Sequence, residues 1–268
     1  MSKKDKSISI PVGKYTAEAR SGGCLTARQL RDFQVSPLLY KLKLSGEVTE
    51  PDTPAMRLGR VAHCLLIGGQ EAFDEKFAVD DGPTNLRTGR PYGRATETYA
   101  VWRRTQDREI VSTADFALLS RLRDSVWNHP IATELLRSGC REVEARAMCA
   151  EEECISTIDV ISDAYGIADF KTCDSIDRFE LDAQRLGYVY QLAFHRAVLR
   201  ECFGKNHGCW LIGAEKRTPF RSGVWRISDA VLERAEAENI AAIHRLQECR
   251  RTDTWPTGYE ELRTITQL

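Results

Sequence analysis

Two aspartates, a lysine and the short strands that carry them make the stretch from Cys154 to His195 the part of this chain best suited to chemistry: CISTIDVISDAYGIADFKTCDSIDRFELDAQRLGYVYQLAFH. Ile155 to Ile161 and Ile167 to Lys171 read as two β-strands, joined at Asp163-Ala164-Tyr165-Gly166, a hairpin turn with glycine at its end. Side chains alternate across a strand, so Asp169 and Lys171 share a face, roughly 7 Å apart, while Phe170 turns into the core. If the hairpin brings Asp159 alongside, two carboxylates converge on one ammonium. Like charges that close are costly unless a cation neutralises them. Hard oxygen ligands favour Mg²⁺, with Mn²⁺ as a substitute, and such an ion polarises a phosphoryl oxygen and lowers the pKa of a bound water.

The elements that must position these groups can be followed along the chain. Residues 1–23 are polar, with Lys3, Lys4 and Lys6 clustered, and are expected to form a mobile arm. Thr26 caps a helix from Ala27 to Phe33, and Pro37 opens a second. Thr53-Pro54 starts a helix to about Ile67, with Leu58, Val61, Ala62 and Leu65 as its apolar stripe. His63 falls off that stripe. Gly59, one turn earlier on its face, leaves the surface beside the imidazole open to a metal or a phosphate. Asp80 to Gly93 reads as a surface loop. Its Arg87 and Arg90, with Arg60 on the preceding helix, are candidate DNA contacts; solvated arginines are the alternative. Helices follow over Thr96 to Arg108, from the Ser112-x-x-Asp115 cap to Trp127, and from Pro130 to Gly139.

From Arg141 the apolar period changes to two, which marks the first strand, with Glu142, Glu144 and Arg146 on one face. After the two aspartate strands, Arg178 to Arg200 reads as one long helix with Tyr188, Gln191 and His195 on one side. His207 to Ala214 and Pro219 to Ile227 are closing strands, and Ser228 caps a helix to about Cys249. The Trp255-Pro256-x-Gly258-Tyr259 tail is expected to pack back on the domain. Residues 24–268 are thus taken as one domain: 24–138 mainly helical, 139–227 the catalytic sheet and helix, 228–268 a C-terminal helix and tail.

With 268 residues and 42% hydrophobic content the chain can bury a full core. No apolar run approaches the roughly 20 residues of a membrane helix, and MSKKDKSISI lacks the apolar stretch of a secretory signal, so a soluble, cytoplasmic protein is expected. Nine cysteines, an odd number in a large chain, are expected to be mostly buried thiols. Cys24, Cys202, Cys209 and Cys249 are iron–sulfur ligands by type, but they lack a CxxC pair. A net charge of -1 requires that charge be segregated if the substrate is DNA, since affinity for phosphates comes from Lys and Arg. A closed ring with a basic inner wall would satisfy both facts; the opposing reading is that DNA is not the substrate.

Asp, a spacer, Asp-x-Lys and a helix with Tyr-x-x-Gln resembles the PD-(D/E)XK nuclease superfamily, which Asp159, Asp169, Lys171, Tyr188 and Gln191 match residue by residue. Ser36-Pro37…Tyr40-Lys41, Gly59-x-x-x-His63-x-Leu65-Leu66 and Phe73-Asp74-x-x-Phe77-Ala78-Val79 look like RecE-type (exodeoxyribonuclease VIII-like) phage exonucleases, over about Leu25 to Tyr259. The resemblance implies an α/β fold: a restriction-endonuclease-like core whose central mixed sheet is flanked by helices, with a helical N-terminal extension. It implies a Mg²⁺-dependent exodeoxyribonuclease that degrades the 5′-ended strand of linear duplex DNA, leaving 3′ tails for recombination. Asp159, Asp169 and His63 would hold the metal, Lys171 would act on the attacking water, and Gln191 and Tyr188 would position Lys171 or the phosphate. A glutamate on the strand before the hairpin belongs near the metal, and Glu142 fits the spacing from Gly139 better than Glu144. A ring of four, with three as the alternative, and a phage single-strand annealing protein as partner are also implied.

Two positions depart from that pattern. Relatives commonly carry Tyr where His195 stands, and many carry a basic residue where Thr157 stands. A PD-(D/E)XK endonuclease, an iron–sulfur nuclease of the same fold and a non-catalytic DNA-binding scaffold are the competing readings.

Overall fold

The computed structural model describes residues 23–264, so that nearly all of the expected N-terminal arm lies outside the described residues. In chain order the elements are β1 (Leu25–Thr26), α1 (Ala27–Val35), α2 (Pro37–Leu44) and α3 (Pro54–His63), which runs into a π-helical turn, Cys64–Gly68. Then come α4 (Gly69–Lys76), β2 (Phe77–Val79), β3 (Thr84–Asn85), β4 (Arg90–Pro91), α5 (Glu97–Thr105), β5 (Glu109–Val111), α6 (Thr113–Asn128) and α7 (Pro130–Arg137). The second half holds β6 (Cys140–Cys149), β7 (Glu152–Ser162), β8 (Gly166–Cys173), a 3-10 turn (Ile176–Arg178), α8 (Phe179–Arg185), α9 (Tyr188–Phe203), β9 (Cys209–Glu215), β10 (Ser222–Ile227) and α10 (Asp229–Thr252).

Helix starts follow the local chemistry. Thr26 and Gln29 form a reciprocal capping box at α1, and Ser36 and Thr53 each accept a backbone N–H with proline in the first turn of the helix they cap. At α10 Ser228 stands at the N-cap position, as expected, but makes no side-chain capping bond.

The main sheet is mixed. β6, β7 and β8 are antiparallel neighbours, β8 and β9 run parallel, and β10 closes antiparallel on β9. One face packs on α1, α9 and α10, where Leu30, Phe33, Leu192, Leu199, Leu232 and Leu246 meet Ile158, Ile167 and Leu211. The other packs on α3, α6 and α7, where Val61, Leu119, Leu122 and Leu136 meet Val160, Ala168, Phe170 and Ile212. Each fully buried aliphatic side chain contributes about 1.5–3 kcal/mol, so the sheet is clamped between two apolar layers and its strand ends are held in place. The tail does return: Trp255 stacks on Tyr40 at 6.1 Å and Leu38 donates its N–H to the Pro256 carbonyl at 3.0 Å. No helix of the described residues is long and apolar enough to cross a membrane.

Three expectations need correction. The expected helix from Arg178 to Arg200 is two helices, broken at Gly187, whose left-handed backbone (φ 78) turns the chain between α8 and α9; a side chain there would strike Arg31, 2.8 Å from the Cβ position. The stretch from Asp80 to Gly93 is not wholly irregular, for β3 and β4 pair as a small hairpin. A second small sheet, β2 parallel to β5, lies where no strand is expected from the sequence.

Candidate active site

β7 and β8 separate at the point where the carboxylates stand. Their ladder runs Ser162–Gly166, Ile161–Ile167 and Val160–Ala168 and then stops, while β1 takes over the same edge of β7 at Cys154 and Ile155. In the gap, Asp159 Oδ2 accepts the Phe170 N–H at 2.8 Å, so a side chain does what the ladder no longer does. On the other edge, Arg141–Val160 and Val143–Ile158 flank Glu142, which has φ 50 and makes no ladder pair. Continuing both registers by one step puts Glu142, Asp159 and Asp169 in one row across β6, β7 and β8. Positive φ at a non-glycine strand residue costs on the order of 1–3 kcal/mol and marks a position over-determined by its surroundings.

Other elements aim their groups at this row. His63 ends α3 just before the π turn and lies with Nε2 2.9 Å from Asp159 Oδ1. Gly59, one turn back, faces β8, with Thr172 Oγ1 3.7 Å from where a Cβ would be, an ordinary contact distance. Lys171 Nζ is 2.5 Å from Asp169 Oδ2 and 5.1 Å from the centre of the Tyr188 ring. From α9, Gln191 Nε2 donates to Asp169 Oδ1 at 3.3 Å. Asp169 is only 2% exposed.

The charges respond to this crowding. Burial, opposed by Lys171 and reinforced by the charge of Asp159, pushes the Asp169 carboxyl up to about 6. For Asp159 burial pulls the same way, but the charge and hydrogen bond of His63, with Lys171 and the Phe170 N–H, outweigh it and hold the group below the usual carboxylate range. His63 and Lys171 are both raised: burial would favour their neutral forms, and the carboxylates around them prevail.

The remaining sequence candidates are spread out. Glu144 is buried, with Arg146 Nε 3.9 Å away, so the two glutamates of β6 sit in different surroundings. His195 lies on α9 one turn past Gln191, fully enclosed, and neither ring nitrogen has a hydrogen-bond partner among the described residues. Burial, assisted by the Lys171 charge, lowers it to about 4. Arg60 is bound through both nitrogens to Asp52 at 2.6 and 2.7 Å. Arg87 and Arg90 are exposed on the β3–β4 hairpin. The π turn after His63 is not foreseen from the sequence; Gly68-Gly69 at its end is the signal that marks the irregularity.

Two largely buried carboxylates and an imidazole form an oxygen-rich donor set suited to a hard divalent ion. Asp169 Oδ2 is buried and has the Lys171 ammonium 2.5 Å away as its close cationic partner. The residues fit such an ion in donor type. They are not gathered around one: no group of three or more His, Cys, Asp or Glu among the described residues, the four candidate cysteines included, is placed to hold a metal, and His63 and Lys171 each cover one carboxylate.

Among curated proteins none is similar enough in sequence to match. In a crystal structure of a candidate exonuclease from Eubacterium rectale the same fold recurs, with a TM-score of 0.69, 14% identity and 97% of each chain covered. Residues 27–267 match the family described as PDDEXK-like domain of unknown function (DUF3799). With its carboxylate-bearing strands splayed at Asp159 and covered by helices on both faces, this chain is a member of that PDDEXK-like family.

Proposed function

We propose that the protein is a divalent-metal-dependent deoxyribonuclease that shortens the 5′-ended strand of linear duplex DNA and leaves 3′ single-stranded tails. The observation that carries this reading is the row of Glu142, Asp159 and Asp169 with Lys171 2.5 Å from the last of them. Family membership supports the nuclease class, and the name of the Eubacterium rectale protein supports the exonucleolytic mode.

Asp159, Asp169 and His63, with Glu142 beside them, would hold Mg²⁺ or Mn²⁺. The ion, when bound, supplies polarisation of a phosphoryl oxygen and a lower pKa for water at the site. The chain's own groups do the rest. Lys171, whose raised pKa keeps it an ammonium at neutral pH, donates to the attacking water and offsets charge growing on the phosphoryl oxygens. Gln191 fixes Asp169 through Oδ1, and the Tyr188 ring limits where the ammonium can swing. Phosphodiester hydrolysis requires a barrier reduction on the order of 20 kcal/mol, which calls for metal, positioning and charge together.

The test is a time course on 5′- and 3′-end-labelled linear duplex DNA with Mg²⁺, with Mn²⁺ and with EDTA. Release of 5′ label first, abolished by EDTA, is expected. Cutting of closed circular DNA would make the enzyme an endonuclease, and no cutting in either metal would leave a non-catalytic scaffold.

A further inference from the structure

Beyond the end of β8 the surface holds a depression of about 320 Å³ lined by Asp174, Ser175, Arg178, Asp182, Arg185 and Arg217. Asp174 follows Lys171 by three residues, which is roughly 10 Å along an extended chain. Arg185 precedes Tyr188 by three residues across the Gly187 break, and the charge of Asp182 is felt at Tyr188. The depression therefore adjoins the Lys171 side of the carboxylate row.

Its charge is not balanced. Asp174 Oδ1 already has two cations, Lys216 at 3.1 Å and Arg217 at 3.4 Å. Arg185 reaches Asp182 only at 3.4 Å and is 69% exposed. Arg178 has no ion-pair or hydrogen-bond partner for its guanidinium among the described residues. Asp177 beside it is committed elsewhere, to both nitrogens of Arg221 at 2.9 and 2.8 Å. Three guanidiniums thus line the hollow with two carboxylates, one of which is also held by Lys216 from outside it, in a chain whose net charge is -1. Three guanidiniums, drawn from the 3-10 turn, α8 and the β9–β10 loop, converge on an open hollow, and the planar fork of arginine matches a phosphate.

We propose that Arg178, Arg185 and Arg217 form a subsite for an internal phosphodiester of the strand being cut, a few nucleotides from the scissile bond. The subsite rests on the nuclease reading above. Phosphates on one strand advance about 3.4 Å along a duplex axis, so a hollow roughly 10 Å away registers a neighbour rather than the reacting group. Such a hold fixes the strand relative to Lys171 without taking part in hydrolysis.

The experiment is equilibrium binding of linear duplex DNA in EDTA between 50 and 200 mM KCl, with steady-state cleavage in Mg²⁺ measured in parallel. Proteins compared are the wild type, Arg178→Gln, the triple variant Arg178→Gln/Arg185→Gln/Arg217→Gln, and Arg251→Gln on α10 as a charge-matched control for the single change. Because the three side chains are exposed, melting temperatures should stay within a few degrees of wild type; if the triple variant melts early, Arg178→Gln alone carries the test. The triple variant is expected to bind at least about tenfold more weakly at 100 mM KCl, with a log K against log salt slope shallower by about 1 for each phosphate no longer neutralised. KM should rise while kcat stays within about threefold, equally on 5′-phosphorylated and 5′-hydroxyl ends. A slope and KM like those of wild type and control would overturn the subsite, as would a defect confined to phosphorylated ends. If the wild type neither binds nor cuts DNA, the nuclease reading fails first and the subsite with it.

Discussion

Lys171 and Asp169 make a pair whose halves are expected to fail differently. Lys171→Ala keeps both carboxylates, so calorimetric Mn²⁺ binding should persist while kcat on linear duplex falls by roughly 10²–10³-fold, the usual cost of one transition-state donor. Asp169→Ala should abolish detectable Mn²⁺ binding and also destabilise the fold by about 3–5 kcal/mol, because it strands a buried ammonium. His63 and Leu65 form a second contrast, two positions apart. His63→Ala should reduce turnover with little drop in melting temperature, whereas Leu65→Ala, in the core under α3, should cost about 2–5 kcal/mol with the metal site intact. Ordinary rates in His63→Ala with a lowered melting temperature would make this histidine structural. His195 is different again. Its folded pKa, about 4, lies below the unfolded value near 6.5, so the stability tied to its neutral form is complete above pH 6.5 and is lost as pH falls toward 4. His195→Phe removes two unpartnered ring nitrogens and should melt no lower than wild type at pH 7, yet lose on the order of 3 kcal/mol less than wild type between pH 6.5 and 4. Parallel urea titrations of the two proteins measure that difference.

At the scale of elements, the turn between β7 and β8 decides whether Asp159 and Asp169 share a row. Gly166 has φ 91, and a Cβ on it would sit 2.3 Å from the Gly208 carbonyl oxygen, since the chain entering β9 crosses there. Gly166→Ala must both strain the turn and push back the start of β9, which pairs with Asp169 itself through Leu211. A destabilisation on the order of 3 kcal/mol in denaturant unfolding, with reduced activity in the folded fraction, is expected. The strands and this turn were legible because the period of two and the Asp-Ala-Tyr-Gly signal are local. The break at Gly187 was not: the residues of α8 and α9 read as one continued helix, and it is the left-handed backbone at Gly187 (φ 78) that turns the chain there.

For the whole molecule the governing fact is a net charge of -1 in a protein proposed to follow DNA. A few basic contacts on one chain would release DNA readily as salt rises, so enclosure by a ring of four copies, or three, is the proposed arrangement. Sedimentation at working concentration should then give a single species of four times the chain mass, and a trap-DNA assay should show many cleavages per encounter. A monodisperse monomer that degrades long duplexes without dissociating would contradict the ring, and one that falls off after a few nucleotides would mark a distributive enzyme.

Sequence alone determined what local pattern can encode: Asp159, Asp169 and Lys171 on short strands around a tight turn, Phe170 turned the other way, and the caps at Thr26, Ser36 and Thr53. These follow from alternation, helical spacing and hydrogen-bonding residue types within a few positions of one another. Tertiary structure decided the rest. That the β7–β8 ladder opens at Asp159, that Glu142 leaves its ladder beside it, that His63 on α3 reaches a strand about a hundred residues later, and that arginines from three segments meet in one hollow are all matters of distant backbone converging. No short-range pattern records such convergence, because what fixes it is the packing of two apolar layers onto one twisted sheet.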